Sequence, residues 1–364
     1  MTWTGLLMVI IFVACSDKDV LPTDTTETNA KDAIVFGGKL SDNRATTTKT
    51  RSMDLEDFNN TFRVFGYKNT TYDANSETYA GLQTVFGGYE VIHHSGTAGT
   101  TESNRNDWEY ANSTNQTLHY WDNAAKAYRF AAYSPFTATV TTEQTGTNIT
   151  FDFAISTKTE ADIAATPFYS KMWFSNNNYP TYTAYGSVVT ISFVRPFCRV
   201  RFILQDEKGN IITTESELYK HLSKNTIKFK PADSNRFIVT GGRIRVSYPL
   251  IGTNKEETLS TIAGTSTDDK LEAMTDPYED TPVLATTEKK WYTLFPIGTQ
   301  GDYVMSLDYN GHTRTAVVPA KYTTWNVGYE YTFVFKISES KLTFLPDLYV
   351  YTKWQAGYSE NTTW

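Results

Sequence analysis

Tyr329-Glu-Tyr-Thr-Phe-Val-Phe-Lys-Ile337 decides the fold class. Tyr329, Tyr331, Phe333, Phe335 and Ile337 recur at every second position, opposed by Glu330, Thr332, Lys336 and Ser338. Side chains alternate across a strand, so a period of two predicts a strand with one buried face and one wetter face. Ile149, Phe151, Phe153 and Ile155 repeat the pattern, set against Thr150, Asp152 and Ala154. Thr61-Phe-Arg-Val-Phe-Gly-Tyr67 and Tyr128-Arg-Phe-Ala-Ala-Tyr-Ser134 read as further strands, and Pro135 stops the second because it cannot donate to a ladder.

Working outward, short apolar runs of this kind fill most of the chain. Val189–Phe193, Arg199–Leu204, Ile227/Phe229, Phe237/Val239, Ile244/Val246, Tyr292/Leu294 and Tyr303/Met305/Leu307 all predict strands. Asp206-Glu-Lys-Gly-Asn210 predicts a hairpin loop leading to Ile211. One helix is expected around Leu218, His221 and Leu222, with Thr214 or Ser216 as its cap and His221 as a residue of the helix face. The composition agrees, with 24 Tyr, 21 Phe and 8 Trp among 364 residues. That length suits roughly two domains of about 150 residues. The fold expected is all-β: two tandem antiparallel β-sandwiches with small helical inserts. The Asn-, Tyr-, Pro- and Gly-rich stretch from Asn176 to Gly186 marks the boundary, giving domains at 34–183 and 184–364.

The N-terminus carries a different signal. Gly5-Leu-Leu-Met-Val-Ile-Ile-Phe-Val-Ala14 is too short to span a bilayer and reads as the apolar core of a secretory signal, assigned to residues 1–14. Ala14 followed by Cys15 resembles a bacterial lipobox, which implies a diacylated Cys15 as mature N-terminus. Ser16-Asp17-Lys18-Asp19 is similar to the acidic signal that sends lipoproteins of Bacteroidota-type bacteria to the outer surface. Residues 15–33 are then a lipidated cysteine and a polar tether, too poor in apolar groups to order itself. With Cys15 so used, Cys198 has no partner; inside Phe197-Cys-Arg-Val200 it is expected to be a buried, inert thiol.

Several function classes find no support. A net charge of -7 with 20% charged residues offers no basic surface for nucleic acid. No zinc-binding His-Glu-x-x-His helix, Gly-x-Ser-x-Gly elbow or phosphate loop occurs. His93-His94 suit a metal poorly, because neighbours on a strand point to opposite faces. Asp268-Asp269 and Glu215/Glu217 are carboxylate pairs of the sort that acidic loops supply routinely, and Asp206–Asn210 lacks calcium-ligand spacing. The reading assigns no catalytic residue, no metal ligand and no cofactor.

Three segments together resemble the fimbrillin family, in family order from about residue 34 to 354. Thr61–Tyr67 is similar to its early strand. Tyr120-Trp-Asp122 followed by Tyr128–Pro135 is similar to a recurring element, and Pro319-Ala-Lys-Tyr-Thr-Thr-Trp-Asn-Val-Gly328 running into Tyr329–Ile337 resembles its closing segment. The resemblance implies two transthyretin-like sandwiches and a subunit of a surface pilus. It further implies export as a lipoprotein, cleavage after an arginine, loss of the first strand, and filling of the vacated groove by a strand from a neighbouring subunit. Carried onto this sequence, the removable strand is Ile34, Val35 and Phe36, and the cleavage candidates are Arg44 and Arg51. The donor candidates are Leu342, Phe344, Leu348, Val350 and Trp354. The implied partners are other pilus subunits and the outer membrane through the lipid, with host or bacterial surface ligands left open. The alternative is an unpolymerised, surface-exposed glycan-binding lipoprotein, using Trp108, Tyr110, Tyr120 and Trp121 as a stacking platform.

Overall fold

The computed structural model describes residues 33–40, 60–94, 101–104, 107–110, 115–176, 188–212, 216–265, 267–268, 271–272, 292–299 and 301–353. Strands are numbered in chain order. The first sheet takes β1 (Phe36–Leu40), β2 (Thr61–Asp73), β3 (Thr78–His93), β4 (Trp108–Glu109), β5 (Ala127–Ser134), β8 (Phe168–Ser170), β9 (Trp173–Asn176) and β10 (Val189–Val194). Its order is β1-β10-β8-β5-β2-β3-β4, with β9 also on β5. The second sheet is β15 (Thr258–Ala263), β14 (Gly241–Pro249), β7 (Asn148–Ser156) and β6 (Thr141–Gln144), in that order.

The third sheet runs β18 (Tyr292–Leu294), β11 (Cys198–Gln205), β23 (Tyr329–Ile337), β24 (Leu342–Phe344), and β25 (Val350–Lys353) also pairs with β23. The fourth runs β17 (Leu271–Glu272), β12 (Leu222–Pro231), β20 (Tyr303–Tyr309), β21 (His312–Val318). Two short pairs complete the described strands, β13 (Ile238–Val239) with β16 (Thr267–Asp268) and β19 (Gly298–Thr299) with β22 (Thr324–Trp325). Among the described residues the fold is all-β apart from two short helices, α1 (Glu160–Ala165) and α2 (Glu217–Lys220), and two 3-10 turns.

Alternation along β5 explains how the first sheet serves two cores. All eight of its residues are buried. Tyr128, Phe130 and Ala132 face one core with Phe36, Phe62, Phe86 and Phe193. Ala131 and Tyr133 face the other, against Phe151, Phe153, Ile244 and Val246 of the second sheet. The first core is built from the first sheet's own strands and the segment around Tyr110 to Ala125, so the sheet curls around it. Its end strands β1 and β4 approach each other across the resulting seam. The third and fourth sheets enclose a separate core of Val200, Phe202, Phe333, Phe335, Phe229 and Met305, among others.

The structure departs from the sequence expectations at several points. Two pairings are parallel, β1 with β10 and β11 with β23, where antiparallel sandwiches were expected. Strand pairing also crosses the boundary expected at 183/184: β10 joins the first sheet, and β14 and β15 return to pair beside β7. The helix expected over Leu218–Leu222 is a single turn; His221 is its C-cap and Leu222 already opens β12. Phe237 is 49% exposed and lies just outside the two-residue β13. Helix α1 is capped by Thr159, whose hydroxyl accepts the Asp162 N–H at 3.1 Å.

Candidate functional site

The seam of the first sheet is filled by residues 33–40. Ile34, Val35 and Phe36 are 0%, 1% and 0% exposed, which makes them the most deeply buried three-residue run near either end of the described chain. The three sequence-predicted residues of the removable strand are therefore together. An apolar triplet reaches this depth only where neighbours satisfy its backbone, because a buried unpaired N–H or C=O costs about 1–3 kcal/mol.

Two kinds of neighbour do so. From Phe36 onward the segment is a strand parallel to β10, in the register Phe36 opposite Val189 and Gly37 opposite Thr190. The Val189 N–H donates to the Val35 carbonyl at 2.8 Å. One residue earlier the chain changes partner. The Ile34 N–H donates to the His119 carbonyl at 2.8 Å, and Ala33 forms an antiparallel bridge with Tyr120. The Tyr110 hydroxyl donates to the Ile34 carbonyl at 2.9 Å and accepts the His119 N–H at 3.1 Å. Both backbone groups of Ile34 are thus held by one buried hydroxyl and one loop carbonyl, with no strand ladder beside them.

This latch is itself supported. The Gln116 side chain bridges to the Tyr110 carbonyl and to the N–H and C=O of Glu90 on β3, at 2.7 and 3.0 Å for the latter two. The His119 ring packs on Phe86 at 4.8 Å, and its Nε2 lies 3.0 Å from the Tyr89 hydroxyl. Burial holds the His119 imidazole below its ordinary pKa, and it pushes the Tyr110 phenol above its own, partly offset by the hydrogen bond from His119. Both groups are neutral at neutral pH. The latch binds through directed hydrogen bonds rather than charge.

Beyond the latch lies an aromatic cage. The Phe36 ring meets Phe62, Phe86, Tyr110 and Phe130 at centroid distances of 6.1, 5.1, 5.6 and 5.6 Å, all edge to face. Edge-to-face pairs are favourable because the positive ring edge meets the negative face of its neighbour. The site is therefore a slot that holds an extended segment by backbone at Ile34 and along β10, and by one caged ring two residues after Ile34.

The remaining predicted residues lie elsewhere. Cys15, Arg44, Arg51 and Trp354 fall outside the described residues. Leu342 and Phe344 are buried in β24, Leu348 ends a 3-10 turn and Val350 opens β25, all along the edge of β23 in the third sheet. They are not brought to the seam. The proposed glycan platform is overturned: Trp108, Tyr110 and Trp121 are 3%, 0% and 8% exposed and belong to the seam core. Only Tyr120 reaches the surface, with its hydroxyl on Glu102. His93 meets Trp108 edge to face and His94 faces Glu109 at 3.3 Å; among the described residues no group of three or more possible ligands could hold a metal. Cys198 is buried, and burial pushes its thiol pKa up. The hairpin at Asp206–Asn210 is closed by its own backbone and by Asp206 on Asn210.

Gln116 and His119 were not identified as site residues from the sequence, and Tyr110 was read only as part of a stacking platform, not as a latch. Tyr110 and Ile34 are 76 positions apart, and no local pattern marks a hydroxyl that serves a distant backbone.

No family model matches the chain, and no curated protein does. Among solved structures, a proposed cell adhesion protein from Bacteroides uniformis is similar at 11% identity and a TM-score of 0.45, over 89% of this chain and 99% of that one. A second proposed cell adhesion protein, from Bacteroides ovatus, has 12% identity and a TM-score of 0.44 over 90% and 98%. A fimbrial assembly protein from Parabacteroides distasonis has 8% identity and a TM-score of 0.34 over 88% and 95%.

Proposed function

We propose that this chain is a structural and adhesive subunit of a cell-surface pilus, of the fimbrillin kind. It is exported as a lipoprotein through Cys15 and assembled by strand exchange after cleavage at Arg44 or Arg51. The observation that carries the reading is the burial of Ile34, Val35 and Phe36, the run that leads into the end strand β1, in the seam of a curled sheet. Removing an end strand leaves the rest of the sheet's ladder intact but exposes unpaired backbone on β10 and an empty cage. Such an edge takes an added strand readily, with the main chain supplying affinity and alternate side chains supplying fit. Both arginines follow this strand directly in sequence, in a polar stretch where a cut would release it together with Cys15. The lipid is then a leash that holds the subunit at the outer membrane until cleavage. The partners are further copies or other pilus subunits. The reading involves no enzymatic activity.

Limited trypsin treatment tests it. The expected result is loss of a fragment ending at Arg44 or Arg51, followed by ladders of multimers that survive SDS without boiling. An Arg44→Gln/Arg51→Gln double variant should stay monomeric under the same treatment. A protein that loses the fragment yet remains monomeric contradicts the proposal, and so does laddering in the double variant.

A further inference from the structure

Outside the seam, the third and fourth sheets meet along β24 and β21 without pairing. The Ser338 N–H donates to the Lys341 carbonyl and the Leu345 N–H to the Val334 carbonyl, both at 2.9 Å. Residues 341, 343 and 345 therefore bond β23, and the backbone groups of Leu342 and Phe344 turn the other way, toward β21. On β21 the two-residue turn Asn310-Gly311, with φ of 50° and 74°, closes its hairpin on Tyr309 opposite His312. Residues 312, 314, 316 and 318 then bond β20, which turns the backbone groups of Thr315 and Val317 away from it, toward β24. Among the described strands no ladder joins these two edges.

A groove of about 470 Å³ lies between them, within the range usual for small-molecule sites. Thr315 and Val317 line it from β21, and Lys341 and Thr343 from the other side. Lys321 and Tyr322, of the 3-10 turn Ala320–Tyr322, complete the wall. Val317 is 54% exposed. The Tyr322 ring is braced edge to face by Phe344 and Tyr349, at centroid distances of 5.2 and 4.9 Å, and its carbonyl accepts the Tyr349 hydroxyl at 3.1 Å. The Lys321 Nζ stands 4.8 Å from the centroid of that ring. No carboxylate is among the described lining residues, and among the described residues neither lysine forms an ion pair.

In a chain of net charge -7, this groove gathers two unpaired ammoniums, two hydroxyls, a braced ring and the unpaired backbone of two strand edges. Such a lining matches a compact ligand that carries carboxylates and hydroxyls on an apolar ring face. An extended acidic peptide matches it poorly. Strand addition needs a long edge, whereas β24 has three residues, and Pro319 and Pro346 end the two edges. We propose that the groove between β21 and β24 binds carboxylate-bearing saccharides, such as chains of uronic acid. Lys321 and Lys341 hold the carboxylates, Thr315 and Thr343 meet ring hydroxyls, and Tyr322 and Val317 lie against a pyranose face. The inference rests on the adhesive part of the reading above and names its ligand class.

Calorimetric titration of the uncleaved protein with trigalacturonate, maltotriose and pentaglutamate tests it. The expected result is binding of trigalacturonate, with neither the neutral sugar nor the acidic peptide matching it. Lys321→Gln/Lys341→Gln should lower that affinity by about tenfold or more, the scale of two lost charge-assisted contacts. Lys158→Gln/Lys208→Gln removes the same charge from exposed sites outside the groove and should change the affinity by less than about twofold. All four lysines are exposed, so neither double variant disturbs a core. Equal losses in the two double variants, pentaglutamate binding as tight as trigalacturonate, or no binding of trigalacturonate would each overturn the site. The titration needs neither cleavage nor assembly. Its failure therefore leaves strand exchange standing, and an absence of trypsin-induced ladders leaves the groove standing.

Discussion

Arg129→Ala should lower the unfolding free energy by about 3–6 kcal/mol, among the largest losses expected from a single change in this chain. The guanidinium is fully buried on β5. Its Nε donates to Asn69 Oδ1 at 3.2 Å, and its Nη atoms donate to the carbonyls of Pro249, Asn254 and Gly252 at 3.1, 2.6 and 3.2 Å. It also sits 4.8 Å from the Phe174 ring centroid. Asn69 extends the knot by donating to the Leu250 carbonyl at 3.0 Å. These bonds tie the first sheet to the β14–β15 connection, so truncation leaves several buried acceptors without a donor. Burial brings the pKa of Arg129 down to about 10, which keeps it cationic at neutral pH. Arg129→Lys should recover less than half of the loss, because one ammonium cannot reach four acceptors in a planar fork. Arg243→Ala is the contrast: that side chain is 53% exposed, and the change should cost about 1 kcal/mol or less. Urea unfolding of the three variants checks the order. Equal losses for Arg129→Ala and Arg243→Ala would show that the buried knot is not what joins the sheets.

Phe36→Ala should cost about 3–5 kcal/mol in the uncleaved protein, the range for emptying a buried aromatic site. Four rings surround Phe36 and none of them is free to collapse, since each is also packed against others of the same core. The cores behind the second sheet and between the third and fourth sheets contain no Phe36 contact, so the loss should fall on the seam. Hydrogen exchange should accelerate at Ile34, Val189 and Ile191 while the amides of β11 and β23 keep their protection. Uniform acceleration through all four sheets would contradict a separable plug.

The strands were legible wherever a period of two survives. Tyr329–Ile337 and Ile149–Ile155 were read correctly as strands from alternation alone, and they became β23 and β7. The sixteen-residue β3 was not, because its pattern is broken by register shifts against β2 and by Gly81 and Gly88 at φ of 67° and 92°. Parallel pairing of β23 with β11 was invisible for another reason: the partner lies more than a hundred residues away, and alternation does not specify direction. The boundary at 183/184 followed composition, whereas β14 and β15 pair beside β7 through residues far along the chain.

The site was half legible. Ile34-Val35-Phe36 stands out as an apolar triplet after a polar tether, and the structure buries all three. Tyr110 and Trp108 stood out only as aromatics, and aromatic excess does not say whether a ring faces sugar or core. Here it faces core. The latch leaves no mark in the sequence, since its Tyr110 hydroxyl and His119 carbonyl reach Ile34 across the seam.

The account stands or falls on whether the seam strand leaves. The direct measurement is mass spectrometry of the mature N-terminus in multimers recovered from the cell surface. It predicts a start at Ala45 or Ser52, with neither the acylated Cys15 peptide nor Ile34–Phe36 present in the assembled material. Multimers whose subunits all begin at an acylated Cys15 and retain Ile34–Phe36 would contradict it.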